Sequence, residues 1–176
     1  FNGTLEEIFT EKDIPAPENI YGQTKYLAEI ILQRVAREYL IVRTGWLFGG
    51  VVQDKSFNKF VNLAKSLSKK GETITASYDQ KGSPTLIPDF IDSLKDLITN
   101  KSKGIYHIIN EGSASAVDVA KEIIYLTSSS SKVNSVERSQ LDKSGMKRSS
   151  SEVLTSEKIK LRSWKESLKD HIESIS

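Results

Sequence analysis

The sequence predicts an α/β fold in which parallel strands alternate with amphipathic helices. Three observations carry that prediction. Residues 39–45 are a short, continuous, β-branched run, the pattern of a parallel strand buried on both faces. Apolar residues recur at threes and fours over 17–38, immediately before that run. A second strand-like run at 105–110 precedes a second periodic stretch at 115–126. The alternation places a main sheet first and a small appended lobe after it.

Residues 1–16, with their Pro and polar punctuation, read as a loop approaching a site. A helix follows over 17–38, with Asn19 or Glu18 near its start and Pro17 where a first turn tolerates it. Tyr21, Leu27, Ala28, Ile31, Leu32 and Val35 mark the face expected to pack on the sheet. After the strand at 39–45, Gly49 and Gly50 break the pattern and a loop runs to Lys55. Ser56 caps the next expected helix, whose buried side is Phe57, Phe60, Val61, Ala64 and Leu67, and Gly71 ends it. A strand is expected at 73–77, a loop at 79–85, and a helix at 88–99 with Asp89 as its cap. The strand at 105–110 and helix at 115–126 come next. The serine-rich stretch 127–131 reads as a mobile connection to a minor strand at 133–136. Residues 143–151 are polar and irregular, and 163–175 form a closing helix with Trp164, Leu168, Ile172 and Ile175 inward.

Composition narrows the class. A chain of 176 residues with 38% hydrophobic and 27% charged residues can bury one sizeable core. The net charge of +2 sets up no strong field, so neither nucleic acid nor a membrane surface is an expected partner. With no cysteine there is neither a disulfide framework nor a thiolate site, and the two histidines, at 107 and 171, lack metal-ligand company. No apolar run reaches the length of a membrane span, and the expected setting is the cytoplasm.

The chemistry-bearing stretch is Ile20-Tyr21-Gly22-Gln23-Thr24-Lys25-Tyr26-Leu27-Ala28-Glu29. Tyr21 and Lys25 are four apart, so a helix stacks them on one face. An ammonium beside a phenol stabilises the phenolate left when a proton is given up. The spacing alone also describes a solvated lysine beside a half-buried tyrosine. The neighbours add weight: Phe1-Asn2-Gly3-Thr4 upstream, the strand ending Arg43-Thr44-Gly45-Trp46 downstream, and Asp79-Gln80-x-Gly82-x-Pro84-Thr85 further on.

Together these residues resemble the dTDP-4-dehydrorhamnose reductase family, extended short-chain dehydrogenase/reductases. The resemblance implies the carboxy-terminal part of a Rossmann-like, doubly wound NAD(P)-binding fold with a small α/β substrate-binding lobe. Residues 1–50 would be the remainder of the Rossmann-like domain. Residues 51–176 would be mainly the lobe, with about 88–110 returning to the main sheet. It further implies that Tyr21 gives the proton to a sugar ketone, that Lys25 holds the nicotinamide ribose, and that Thr44 lies near the nicotinamide. The cofactor would be NADPH or NADH and the partner a nucleotide sugar. Trp46 would face the sugar, an indole suiting the apolar side of a pyranose while its N–H bonds a hydroxyl. Trp46 equally suits the core at a strand end, and Thr44 is equally an ordinary β-former. Arg43 is expected to pair with a structural carboxylate, since an unpaired charge in an apolar strand is costly. Gln80 and Thr85 of the loop would line the nucleotide-sugar site. Arg148 resembles an arginine that contacts the diphosphate, although Ser149 stands where the family has Pro and Glu152 where it usually has Ser.

The glycines at 45–50 lack the G-x-G-x-x-G spacing, and the chain opens on Phe1 within the resemblance. It therefore reads as the carboxy-terminal portion of a longer reductase, inactive by itself. It would expose an unpaired sheet edge and an apolar helix face, through which it aggregates, self-associates or forms a homodimer, or needs a partner. A second reading comes from the non-catalytic regulatory subunits resembling the methionine adenosyltransferase β subunit, which share the Tyr-x-x-x-Lys helix and would suit Asp13-Ile14-Pro15-Ala16-Pro17.

Overall fold

The computed structural model describes residues 4–5, 7–50, 57–142 and 149–174. In chain order the elements are β1 (Ile8–Phe9), α1 (Ile20–Val35), β2 (Leu40–Arg43), β3 (Leu47–Phe48), α2 (Phe57–Lys69) and β4 (Ile74–Ser77). They continue with β5 (Lys81–Gly82), β6 (Thr85–Leu86), α3 (Ile87–Thr99), β7 (Gly104–His107) and β8 (Ala114–Ser115). The chain closes with α4 (Ala116–Leu126), β9 (Val133–Val136), α5 (Arg138–Leu141), β10 (Ser151–Leu154) and α6 (Trp164–Ser174). Strand β2 pairs in parallel with β7, β3 with β6, and β4 with β9. A four-stranded sheet runs β1-β10-β5-β8, with only the last pair antiparallel.

Local chemistry sets the helix starts. Asn19 caps α1 by accepting from the Gly22 N–H at 2.8 Å. Ser115 and Asp118 form a reciprocal capping box on α4. Ser163 and Glu166 exchange the same pair of bonds at α6. Gly71, at φ +71°, ends the α2 turn as expected. The apolar faces of α2, α4 and α6 meet β4 in one core around Phe48, Val61, Ile74, Ile123, Trp164 and Leu168. Burying each of the larger aliphatic or phenyl side chains stabilises the fold by about 1.5–3 kcal/mol.

Several expectations are corrected. Helix α1 spans 20–35, not 17–38, and none of its residues is buried. Leu27, Ile31 and Val35 are 55%, 50% and 76% exposed. Among the described residues the half-buried side is Gly22, Tyr26, Glu29 and Ile30, and the apolar face read from the sequence is left uncovered. Strand β2 is buried on both faces only at Ile41, and its partner among the described residues is β7 alone. On α2 the buried set is Asn58, Val61, Ala64, Lys65 and Ser68, while Phe57, Phe60 and Leu67 pack at the core margin. The expected loops at 1–16 and 79–85 contain the short strands β1, β5 and β6. Stretch 127–131 is tied to α2: the Ser68 and Thr127 hydroxyls lie 2.6 Å apart, and Ser129 Oγ donates to the Ser68 carbonyl at 2.7 Å. Asp89 caps nothing. Its carboxylate takes Arg162, Asn110 and Ser167, tying α3 to the end of β7 and to α6. Ser56, Ile175 and the opening Phe1-Asn2-Gly3 lie outside the described residues.

Two acids, one buried and one half-buried, hold the region around α1. Glu29 pairs with Arg43, Oε2 to Nη2 2.8 Å, with little of either side chain exposed. This is the structural carboxylate that an arginine in an apolar strand requires. Glu11 accepts from the backbone N–H groups of His107 and Glu157, each at 3.1 Å, and from the Ser156 hydroxyl. Burial pushes its carboxyl up, but these donors outweigh burial and hold it down at about 2. Its folded pKa thus lies below the ordinary 4.5, so its stabilisation is complete above that pH and drains as pH falls toward 2.

Two outcomes follow for thermal melting of the intact protein. Glu29→Ala, which strips Arg43 of its carboxylate, should cost about 3 kcal/mol. Glu11→Gln should cost about 2 kcal/mol at neutral pH. The gap between Glu11→Gln and the parent should close as the melt is repeated from pH 5 down to pH 2; a constant gap would show that Glu11 is not the titrating group.

Candidate active site

Helix α1 carries Tyr21 and Lys25 on one face. The Lys25 ammonium lies over the Tyr21 ring, 5.5 Å from its centroid. Both residues are exposed and line a cleft of about 620 Å³. Across it stand Thr44, Gly45 and Trp46, in the turn between β2 and β3, with Glu152 of β10. A second cavity of about 570 Å³ adjoins the first. Tyr21, Thr44, Gly45, Trp46 and Glu152 line both, so the two form one continuous cleft. The second part runs past Phe57 and Phe60 of α2, Gln80 and Arg138.

Trp46 is the hinge of this arrangement. Its φ of +34° is left-handed, a conformation that bulky side chains adopt at a cost of the order of 1 kcal/mol or more. Three contacts hold it there. The indole N–H donates to Glu152 Oε2 at 3.0 Å, and the ring meets Phe57 at 4.8 Å between centroids. The third contact is with backbone. A Cβ built on Gly82 would fall 2.3 Å from Trp46 Cε2, so only glycine lets the indole lie against β5. The glycine of the 79–85 loop thus has a physical reason beyond a turn. The expectation that the Trp46 N–H meets a sugar hydroxyl is corrected, because Glu152 has taken that donor.

The sequence-predicted site residues separate into those the fold brings together and those it does not. Tyr21, Lys25, Thr44, Trp46 and Gln80 line the joined cleft. Thr44 Oγ1 and Gln80 Nε2 are buried without a hydrogen-bond partner. Thr85 is corrected: it is fully buried, its hydroxyl donates to the Ser83 carbonyl at 3.0 Å, and it lines neither cavity. The cause is the β3–β6 pairing, which sets Thr85 opposite Leu47. Arg148 and Lys147 lie outside the described residues. Sequence reasoning noticed Glu152 only as a departure, and passed over Arg138, a lone arginine in a polar stretch with no motif around it.

With this geometry in hand, known proteins bear on the site. The family model described as RmlD substrate binding domain matches residues 1–176. The dTDP-4-dehydrorhamnose reductase of Escherichia coli K12 is 32% identical over 125 residues, 68% of this chain and 40% of that protein. A dTDP-4-dehydrorhamnose reductase structure from Clostridium acetobutylicum superposes with a TM-score of 0.84 at 31% identity, over 99% of this chain and 62% of that one. One from Bacillus anthracis, solved in complex with NADP, gives 0.83 at 29% identity, over 95% of this chain and 59% of that one. The chain therefore spans 40% of the Escherichia coli relative's length and about 60% of the two solved chains. The α/β arrangement with its parallel pairs is that of these Rossmann-like reductases. On the match over its whole length, this chain belongs to the RmlD substrate-binding domain family, in the company of the dTDP-4-dehydrorhamnose reductases.

Proposed function

We propose that the chain supplies the proton-donor and sugar-holding side of an NAD(P)H-dependent reductase acting on the C4 ketone of a dTDP-4-dehydro-6-deoxy sugar. The observation that carries this reading is the Tyr21–Lys25 pair on one wall of a cleft whose opposite wall is an immobilised indole. Tyr21 lines both halves of the cleft, so its hydroxyl serves a ketone held between them. The proton passes from the Tyr21 hydroxyl to the alkoxide oxygen that develops at C4. Lys25, one helical turn away, stabilises the phenolate that remains.

The residues present also fit the ribose end of a nicotinamide cofactor. Lys25 offers three donors on an exposed stem, and Thr44 Oγ1 is a buried hydroxyl with no partner in the protein. When bound, the cofactor supplies the hydride. Trp46 gives the sugar an apolar face. Glu152 fixes the plane of that face through Oε2. The matched reductases and the solved complex with NADP support the cofactor and substrate classes. The regulatory-subunit reading draws no support from the relatives described above.

Tyr21→Phe in the intact protein should lower kcat by about 10²–10⁴-fold while leaving KM for the keto sugar nearly unchanged. Turnover within a few-fold of the parent would take Tyr21 out of the proton-donor role. A methyl group at Gly82 tests the opposite wall. Gly82→Ala should displace the indole, shift the Trp46 fluorescence, and reduce kcat/KM by at least about tenfold. An unchanged emission spectrum with unchanged kcat/KM would show that the indole plane is not needed.

A further inference from the structure

Glu152 does one visible job and has the means for a second. Its Oε2 accepts from the Trp46 indole N–H at 3.0 Å. Its Oε1 meets no donor and no cation among the described residues. Unlike Thr44 Oγ1 and Gln80 Nε2, that oxygen is not buried, and the residue lines both parts of the cleft. The strand register puts it there. Glu152 in β10 stands opposite Gly82 in β5, the glycine against which the indole lies. Lys25 shares the first part of the cleft, but its ammonium sits over the Tyr21 ring and forms no ion pair with the acid.

An ionised carboxylate is an acceptor only. With one oxygen open, Glu152 is matched by a ligand group that brings an O–H and mismatched by one that brings only acceptor oxygens. Tyr21 also lines both parts of the cleft, so a group lying on the indole beside Glu152 belongs to the ring whose ketone Tyr21 serves. The donors on that ring are its hydroxyls. The carboxylate is already held by the indole bond, and β10 is paired on both sides, so little freedom remains to be lost when a hydroxyl arrives. Serine usually stands at this position in the family that the sequence resembles. A serine hydroxyl both donates and accepts, so it tolerates a ring substituent of either kind, whereas glutamate demands a donor.

We propose that Glu152 is a specificity-determining residue: its Oε1 takes a hydroxyl of the sugar ring, so the cleft selects sugars that present a donor beside the indole. The inference rests on the nucleotide-sugar reading above and adds a residue at which this chain departs from its family. One carboxylate thus holds the apolar face of the site with one oxygen and reads the polar edge of the ring with the other.

Titration calorimetry of the intact protein with dTDP and with dTDP-glucose, a ring that keeps its hydroxyls, tests this. Glu152→Ala should weaken dTDP-glucose by about tenfold or more and change dTDP by less than about twofold. Glu152→Gln keeps an oxygen for the indole N–H, so the Trp46 emission should stay where it is in the parent. It should still lose about threefold or more of the dTDP-glucose affinity, because the bond to the sugar is no longer charge-assisted. If dTDP-glucose binds the parent and both variants equally, the assignment of Glu152 is overturned while the nucleotide-sugar reading stands. Equal weakening of dTDP and dTDP-glucose places the contact on the nucleotide and overturns the sugar contact. A loss confined to Glu152→Ala, or a loss in Glu152→Gln that comes with shifted Trp46 emission, shows that the acid acts only through the indole and overturns it too. A parent that binds neither compound overturns both readings together.

Discussion

The cleft depends on one indole lying flat against a backbone that has no side chain. Trp46, Gly82 and Glu152 are far apart in sequence, and each is needed for the other two to make sense. Gly82 supplies the space, Glu152 supplies the acceptor, and Trp46 accepts a left-handed backbone to use both. Its carbonyl meanwhile accepts from the Thr85 N–H at 3.2 Å, so the β3–β6 pairing begins at the same residue. The strain at φ +34° is of the order of 1 kcal/mol, and a ring contact, a charge-assisted hydrogen bond and this backbone bond together outweigh it. Because Glu152 belongs to β10, which pairs with both β1 and β5, the wall facing Tyr21 is set by the sheet and not by a loose loop. Side chains on paired strands are held more precisely than those on a loop.

What the sequence disclosed was what short-range chemistry decides. The start of α1 near Asn19, the glycine stop at 71 and the Tyr–Lys stacking all follow from residues within four positions of each other. The motif around Gln80 and Gly82 pointed at the cleft, although its glycine matters for a tryptophan 36 positions upstream (82 − 46) and not for its own turn. Periodicity identified the apolar face of α1, and the described residues leave that face uncovered. A helix with Tyr26 and Ile30 on one side and Leu27 and Ile31 on the other has two apolar stripes, and only packing selects between them. Asp89 looked like a cap because a carboxylate beside a helix start reads the same whether its donors are local or, as with Arg162, 73 residues away. Thr85 shared a motif with Gln80 yet points elsewhere, since neighbouring loop residues need not share a wall once the loop folds into strands.

Polar groups of the scaffold are for the most part paired within the protein. In the scaffold, acids withdrawn from solvent are surrounded by donors. Asp89 takes Arg162, Asn110 and Ser167, and Glu11 takes two backbone N–H groups and a hydroxyl. Ser83 both donates to the Leu154 carbonyl and accepts from the Leu154 N–H. At some atoms the rule lapses. Thr44 Oγ1, Gln80 Nε2 and Arg138 Nε, on residues that line the cleft, are buried without a hydrogen-bond partner, and so is His171 Nε2 in the core beside Phe48. Each such atom forgoes about 1–3 kcal/mol of folding stability that an internal partner, as Glu152 is for the Trp46 N–H, would restore.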